Sequence, residues 1–222
     1  MQDLFASLPQ SLQDIVGHIS FPPDNGVDLL HSINENPSPH IFGASDASFK
    51  SGRASHAWIL SSGSTSDISN PLRNISGGGI VHGHPSLISS GRGELHGILV
   101  LSIVANIFKM HHSSTAPVTL ICNLQCVTSK CNTLSIISLC SHKSQNVDMY
   151  ITQRHITTQN SITHEWVKGH SDKAPWESIK DIQEQGLNRD KIYNVWYNKL
   201  AKQYWVSNAS ANLEPDPTLV EK

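Results

Sequence analysis

The chain has 222 residues, of which 38% are hydrophobic and 15% charged, and a formal net charge of −2. That length suits one domain with a short element at either end, and its core is large enough to stand without disulfides or a structural metal. So few charges do not make a disordered chain, and the slight acidic balance does not advertise nucleic acid; any such contact must come from a local patch and weaken with salt.

In chain order, residues 1–39 read as an N-terminal helical extension. Leu4, Leu8, Leu12, Val16 and Ile19 recur at helical spacing, although Pro9 and Gly17 interrupt it. Pro22-Pro23-Asp24-Asn25-Gly26 is a turn, and a second short helix follows from Val27 to Ile33, the whole segment packing on the outside of the core. His40 to Phe49, Arg53 to Leu60 and Leu72 to His82 read as three strands of an antiparallel meander, the third interrupted by Gly77-Gly78-Gly79. Gly91 to Met110 is the clearest helix, with a stripe of Leu95, Ile98, Leu99, Ile103 and Ile107, a Ser89-Ser90 cap and Glu94 in its first turn. Ala116 to Cys122 is a strand, Gln125 to Cys131 and Val147 to Gln159 are helices, Ser161 to Val167 is a strand, and Lys168 to Ala174 is a loop. Asn188 to Val206 forms a last helix, with Ile192, Val195, Trp196 and Leu200 packing inward. The core domain therefore covers 40–206, and 207–222 is a polar, flexible tail. Three strands, a helix, a strand, helices, a strand and a helix make an α/β fold with a mixed sheet of five strands.

No run reads as long or apolar enough to cross a membrane, and the first residues lack the basic and apolar stretches of a signal peptide. An intracellular chain, cytoplasmic or nuclear, is the expectation. Its glycosylation-type triplets at Asn74 and Asn208 would then be silent, and Cys122, Cys126, Cys131 and Cys140 would stay reduced. With His142 these cysteines supply enough ligands for zinc, but no Cys-x-x-Cys knuckle is present, and buried free thiols are the favoured reading. Most of the 13 histidines read as surface or loop residues. Trp166 reads as core rather than as a base-stacking platform, and Trp196, Tyr204 and Trp205 pack the last helix. Lys109, Lys130, Lys143 and Arg154 could border a nucleic-acid face, although scattered surface charge is the simpler account.

The functional signal lies in short motifs in one order. Ser45-Asp46-Ala47-Ser48 closes the first strand, and Arg92-Gly93-Glu94-Leu95 opens the long helix. Ile121-Cys122-Asn123 ends the fourth strand. Glu165-Trp166-Val167-Lys168-Gly169-His170 and Asn194-Val195-Trp196-Tyr197-Asn198-Lys199-Leu200-Ala201 follow. Across roughly residues 40–205 this set resembles the ribonuclease H domain of retroelement reverse transcriptases. The resemblance implies a ribonuclease H-like fold and endonucleolytic hydrolysis of the RNA strand of RNA–DNA hybrids. It implies Mg2+ or Mn2+ as cofactor and metal ligands at Asp46, Glu94, Asn123 and Asn198, with His170 assisting proton traffic. A hybrid would be read through its backbone and 2′-hydroxyls, without sequence preference.

Two of those four positions depart from the pattern, which has aspartate where this chain has Asn123 and Asn198. Two dications about 3.5–4 Å apart need several carboxylates to neutralise them. An amide offers an oxygen but no charge. Asp172, two residues past His170, could lie near the site as a substitute acid. The expectation is a weak metal site and an impaired or inactive enzyme, or a catalytically dead nucleic-acid-binding or docking module from a decayed element. A chain that starts in this way reads as a piece of a longer element.

Overall fold

The computed structural model describes residues 1–83, 85–133, 146–169 and 178–209. His170 and Asp172, the Cys140–His142 end of the cysteine cluster, Lys143, the Trp205 side chain and the tail from 210 lie outside the described residues. The described elements are α1 (Gln2–Ala6), α2 (Gln10–Val16), β1 (His18–Ser20), α3 (Val27–Glu35), β2 (Ile41–Lys50), β3 (Arg53–Ser61), β4 (Asn74–Ile80) and α4 (Ser90–His112), followed by β5 (Val118–Cys122), α5 (Gln125–Thr133), α6 (Val147–Asn160), β6 (Ile162–Trp166), α7 (Ile179–Gln183) and α8 (Arg189–Ala209).

The sheet is mixed, as expected, but has six strands in the order β1-β4-β3-β2-β5-β6. β1 to β4, β4 to β3 and β3 to β2 run antiparallel, whereas β2 to β5 and β5 to β6 run parallel. The extra strand comes from the N-terminal extension. Gly17, at φ +73°, ends α2 and turns the chain into three extended residues that pair with Ser76, Gly77 and Gly78. The triple glycine explains itself there: a Cβ on Gly77 would overlap the His18 carbonyl and the Trp58 ring. So Val16, Leu29 and Ile33 of the extension, far from lying outside, are fully buried in the main core.

One face of the sheet carries α4, with α6 and the N-terminal helices around it, and the other carries α8. The cap of α4 is Ser89, whose side chain accepts from the Arg92 N–H at 3.1 Å. Glu94 therefore falls in the second turn, not the first. By length and composition α4 could cross a membrane, contrary to the expectation from sequence. Its apolar stretch is 83% buried, as befits a central helix covered by sheet and helices all round. The exposed edge at β6 is blunted by α5: the Asn132 side chain accepts from the His164 N–H at 3.1 Å and donates to the His164 carbonyl at 2.7 Å. One side-chain amide thus stands in for a neighbouring strand.

Three histidines are buried rather than superficial. His56 and His96 stack with ring centroids 4.6 Å apart, and His164 is held between Asn132 and Gln153. Burial lowers all three, His96 and His164 to about 4 and His56 well below its usual value. The unfolded chain, with ordinary histidines, therefore takes up more protons below about pH 6.5. Stability is present above that pH and drains away as pH falls toward 4. Urea melts should show midpoints dropping between pH 7 and pH 5, by up to about 1.4 kcal/mol per pH unit for each histidine. Replacing His164 by Gln should flatten that slope; an unchanged slope would mean that His164 is charged in the folded protein.

Candidate active site

Strand β2 alternates its side chains between the two helical layers. Phe42 and Ala44 pack in the cluster under α8, and Asp46 continues that row. Gly43 and Ser45 face α4, and so does Ala47. The contact with α4 is close. A Cβ on Gly93 would sit 2.9 Å from the Ala47 Cβ, and one on Gly97 would sit 3.1 Å from the Ser45 Cβ. Because these two glycines let the helix down onto the strand, Glu94 reaches the Asp46–Ala47 stretch of β2. Its Oε1 accepts from the Ala47 N–H at 3.4 Å, and its carboxyl lies close enough to that of Asp46 for the two to interact.

Both acids are buried, at 1% and 3% exposure, which is too little for two hydrated carboxylates side by side. Burial first, and the Asp46 charge second, hold Glu94 well above the usual carboxylate range. Two charges side by side at that depth repel, so burial and the neighbouring acid both favour a proton on Glu94. Cys122, at the end of β5, lies 3.7 Å from Glu94 Oε2, and burial with the neighbouring acids keeps it a thiol.

Asn123 follows Cys122 and turns toward Asp46. Its Nδ2 lies 3.2 and 3.3 Å from the two carboxylate oxygens. The orientation is dictated by charge, since an amide beside a carboxylate presents its N–H groups. The chain leaving β6 fixes this residue from outside. The Trp166 indole N–H donates to the Asn123 carbonyl at 3.0 Å, and Gly169 passes so near that a Cβ there would lie 3.0 Å from the Asn123 side chain. Trp166 itself is 46% exposed, which corrects its reading as a core residue.

The last helix contributes an amide that the sequence had not singled out. Tyr193 and Tyr197 bury α8 against the sheet, and Asn194 Nδ2 donates to Asp46 Oδ2 at 3.0 Å. Asn198 lies one turn further along α8 and is also buried. Asn194 opens the motif that ends at Ala201. Its place four residues before Asn198, on the same helix face, was the available signal. Asp46, Glu94, Asn123 and Asn194 thus converge.

A pair of divalent ions does not fit this donor set. Among the described residues Asp46 and Glu94 are its only carboxylates, Glu94 is raised by burial, and amide N–H groups already face Asp46. Among the described residues no group of three or more His, Cys, Asp or Glu side chains is placed to hold a metal. That includes the cysteines. Cys122 and Cys131 are buried free thiols, as expected, with Cys131 pushed up to about 12 by burial, whereas Cys126 is exposed.

The fold is ribonuclease H-like. The RNase H domain of PFV superposes with a TM-score of 0.50 at 14% identity, covering 75% of this chain and 95% of that one. The N-terminal RNase H domain of Rv2228c from Mycobacterium tuberculosis gives 0.46 at 11% identity, over 78% of this chain and 97% of that one. A foamy viral protease–reverse transcriptase in complex with dsDNA gives 0.43 at 10% identity, over 78% and 96%. No family model and no curated protein matches the sequence.

The proton on Glu94 is open to a direct check. Glu94→Gln, which mimics the protonated acid, should change stability at neutral pH by less than about 1 kcal/mol, and Glu94→Ala should cost about 2 kcal/mol or more. An acid raised by folding must take up a proton to fold above its unfolded value. Wild type should therefore lose stability relative to Glu94→Gln as pH rises from 5 to 8. Denaturation that shows Glu94→Gln losing ground instead would mean that Glu94 is ionised.

Proposed function

We propose that this chain is a ribonuclease H-type domain, of retroelement reverse-transcriptase origin, whose hybrid-cleaving centre is impaired and whose remaining activity is nucleic-acid binding. The observation that carries the reading is the approach of Asn123 to Asp46, 3.2 Å, at a position where two-ion hydrolysis calls for a third carboxylate. With Asn198 also neutral, Asp46 and Glu94 bring two carboxylates to positions where the two-ion pattern has four. If each missing charge costs about 2–3 kcal/mol at the transition state, cleavage falls by roughly a thousandfold or more. Any Mg2+ or Mn2+ would bind weakly. His170 and Asp172 remain candidates for proton traffic and for a substitute ligand.

Binding is supported by the rim. β2 pairs with β5 only as far as Ala44 and then runs on to Lys50 with β3 as its partner, so the hairpin projects past the acid pair. It exposes Phe49, Lys50 and Arg53 at its tip. Next to Asn123 stand the exposed Trp166 and Lys168. Aromatic faces beside cations suit a sugar–phosphate backbone with an unpaired base at its end. Of the basic residues first considered for this role, Lys109 and Lys130 have partners of their own, and Lys143 lies outside the described residues. Lys109 donates to the Asn160 carbonyl at 3.1 Å, and Lys130 lies 5.4 Å from the centre of the Tyr150 ring.

Two measurements test the proposal. In Mg2+ or Mn2+ the protein should cleave an RNA–DNA hybrid at least about a thousandfold more slowly than a four-carboxylate ribonuclease H. The double change Asn123→Asp with Asn198→Asp should raise the rate more than either single change. Vigorous cleavage by the unaltered protein would refute the impairment. In low salt the protein should bind a hybrid carrying a single-stranded overhang. Trp166→Ala should weaken that binding by about tenfold, the range of one stacked base. Absence of binding in low salt would refute the nucleic-acid role.

A further inference from the structure

The amides do more than fail to bind metal. A carboxylate has about four lone-pair positions. On Asp46, Oδ1 takes the Ala47 N–H at 2.7 Å and the Asn123 amide at 3.2 Å, and Oδ2 takes the Asn194 amide at 3.0 Å. These donors belong to the next residue of β2, to the end of β5 and to α8. One buried carboxylate therefore ties the two parallel strands and the helix of the opposite layer to one point. Tyr193 also fastens α8, through its hydroxyl to Ser61 at 2.9 Å and to the Ser64 carbonyl at 2.7 Å, and Ser55 donates to the Ala201 carbonyl at 2.7 Å; Asn194 adds the tie to the centre of β2.

We infer that Asp46 is a self-liganded anchor: its carboxylate, held by Ala47, Asn123 and Asn194, fastens α8 and the end of β5 to β2, and the folded state gains nothing from divalent metal. The inference deepens the proposed loss of the metal centre, on which it rests, but its test reads stability rather than cleavage. The two differ in the sign they give to Asp46. In a centre where four carboxylates crowd together, removing one relieves repulsion and stabilises the metal-free protein. Where the carboxylate is held by amide donors, removing it leaves those donors unpaired and destabilises.

The experiment is thermal melting of the full chain in EDTA and in millimolar MgCl2 or MnCl2. Wild type should melt within about 1 °C in all three, because binding raises the melting temperature only when the folded state takes up the ion. Asp46→Asn and Asn194→Ala should each lower the melting temperature by about 5 °C. The double variant should lose less than the sum, because both single changes break one interaction. Asn194→Asp, which sets a second carboxylate against the first, should melt lowest in EDTA and regain stability in Mg2+. Should Asp46→Asn not fold, Asn194→Ser, a milder loss of the same donor, carries the comparison. A higher melting temperature for Asp46→Asn, a clear rise of the wild type in Mg2+, or full additivity in the double variant would overturn the anchor. A wild type that is stabilised by Mg2+ yet does not cleave hybrid would overturn the anchor alone and leave the impaired enzyme standing.

Discussion

The structure depends on how closely α4 lies on β2. Gly93 and Gly97 on the helix, and Gly43 on the strand, leave out the Cβ atoms that would separate the two backbones. Leu101 and Leu120 fill the place of a Gly43 side chain, and Ala47 and Ser45 fill the places beside the helix glycines. Close packing of this kind is stiff, because a single extra carbon forces the neighbours to move. It also decides the chemistry. A helix standing further off would leave Glu94 short of the Asp46–Ala47 end of β2, and the acid pair would not exist.

An acid pair at that depth has to dispose of its charge. One solution is a cation; the other is a proton together with N–H donors. This chain has the second arrangement: burial and the Asp46 charge raise Glu94, and N–H donors face Asp46. The same low-dielectric surroundings that make an unpaired carboxylate costly make each amide contact stronger than it would be in water. Cys122 fits the pattern. An ionised thiol beside two acids would add a charge to a place that already sheds one, and it stays neutral.

Much of this was legible in the sequence. The strands from Ile41, Arg53, Asn74 and Val118, and the helix from Ser90, follow from apolar runs punctuated by Gly, Ser and Asn. The motifs at 45–48, 92–95 and 121–123 gave the positions that converge on Asp46. What escaped had physical reasons. Val16 and Ile19 continue a helical spacing, so β1 could not be separated from α2 without knowing that Gly17 adopts a positive φ. Trp166 occupies a strand position whose exposure depends on whether α5 or α6 covers it, and neither does fully. His56 and His96 lie on different elements, and no local pattern announces that they stack. Asn194 carried a motif but no expected role, since its meaning comes only from the carboxylate opposite it.

An amide rather than a carboxylate at positions 123 and 198 bears on stability as well as on the proposed loss of catalysis. Four acids gathered in a dry pocket repel one another and are tolerable only while cations are present. Replacing an acid by an amide removes a repulsion and adds a donor, so each such change lowers the free energy of the metal-free fold while raising the barrier to hydrolysis. Catalytic centres commonly hold local stability below what the scaffold could reach. Where cleavage does not constrain a chain, an amide is favourable for folding wherever its N–H can reach a buried carboxylate. Asn123 is such a place. Asp46, which gains the partners, is then kept by packing and hydrogen bonding rather than by chemistry. An acid at the centre of this fold is therefore no sign of activity by itself; the groups that face it decide whether it can receive an ion.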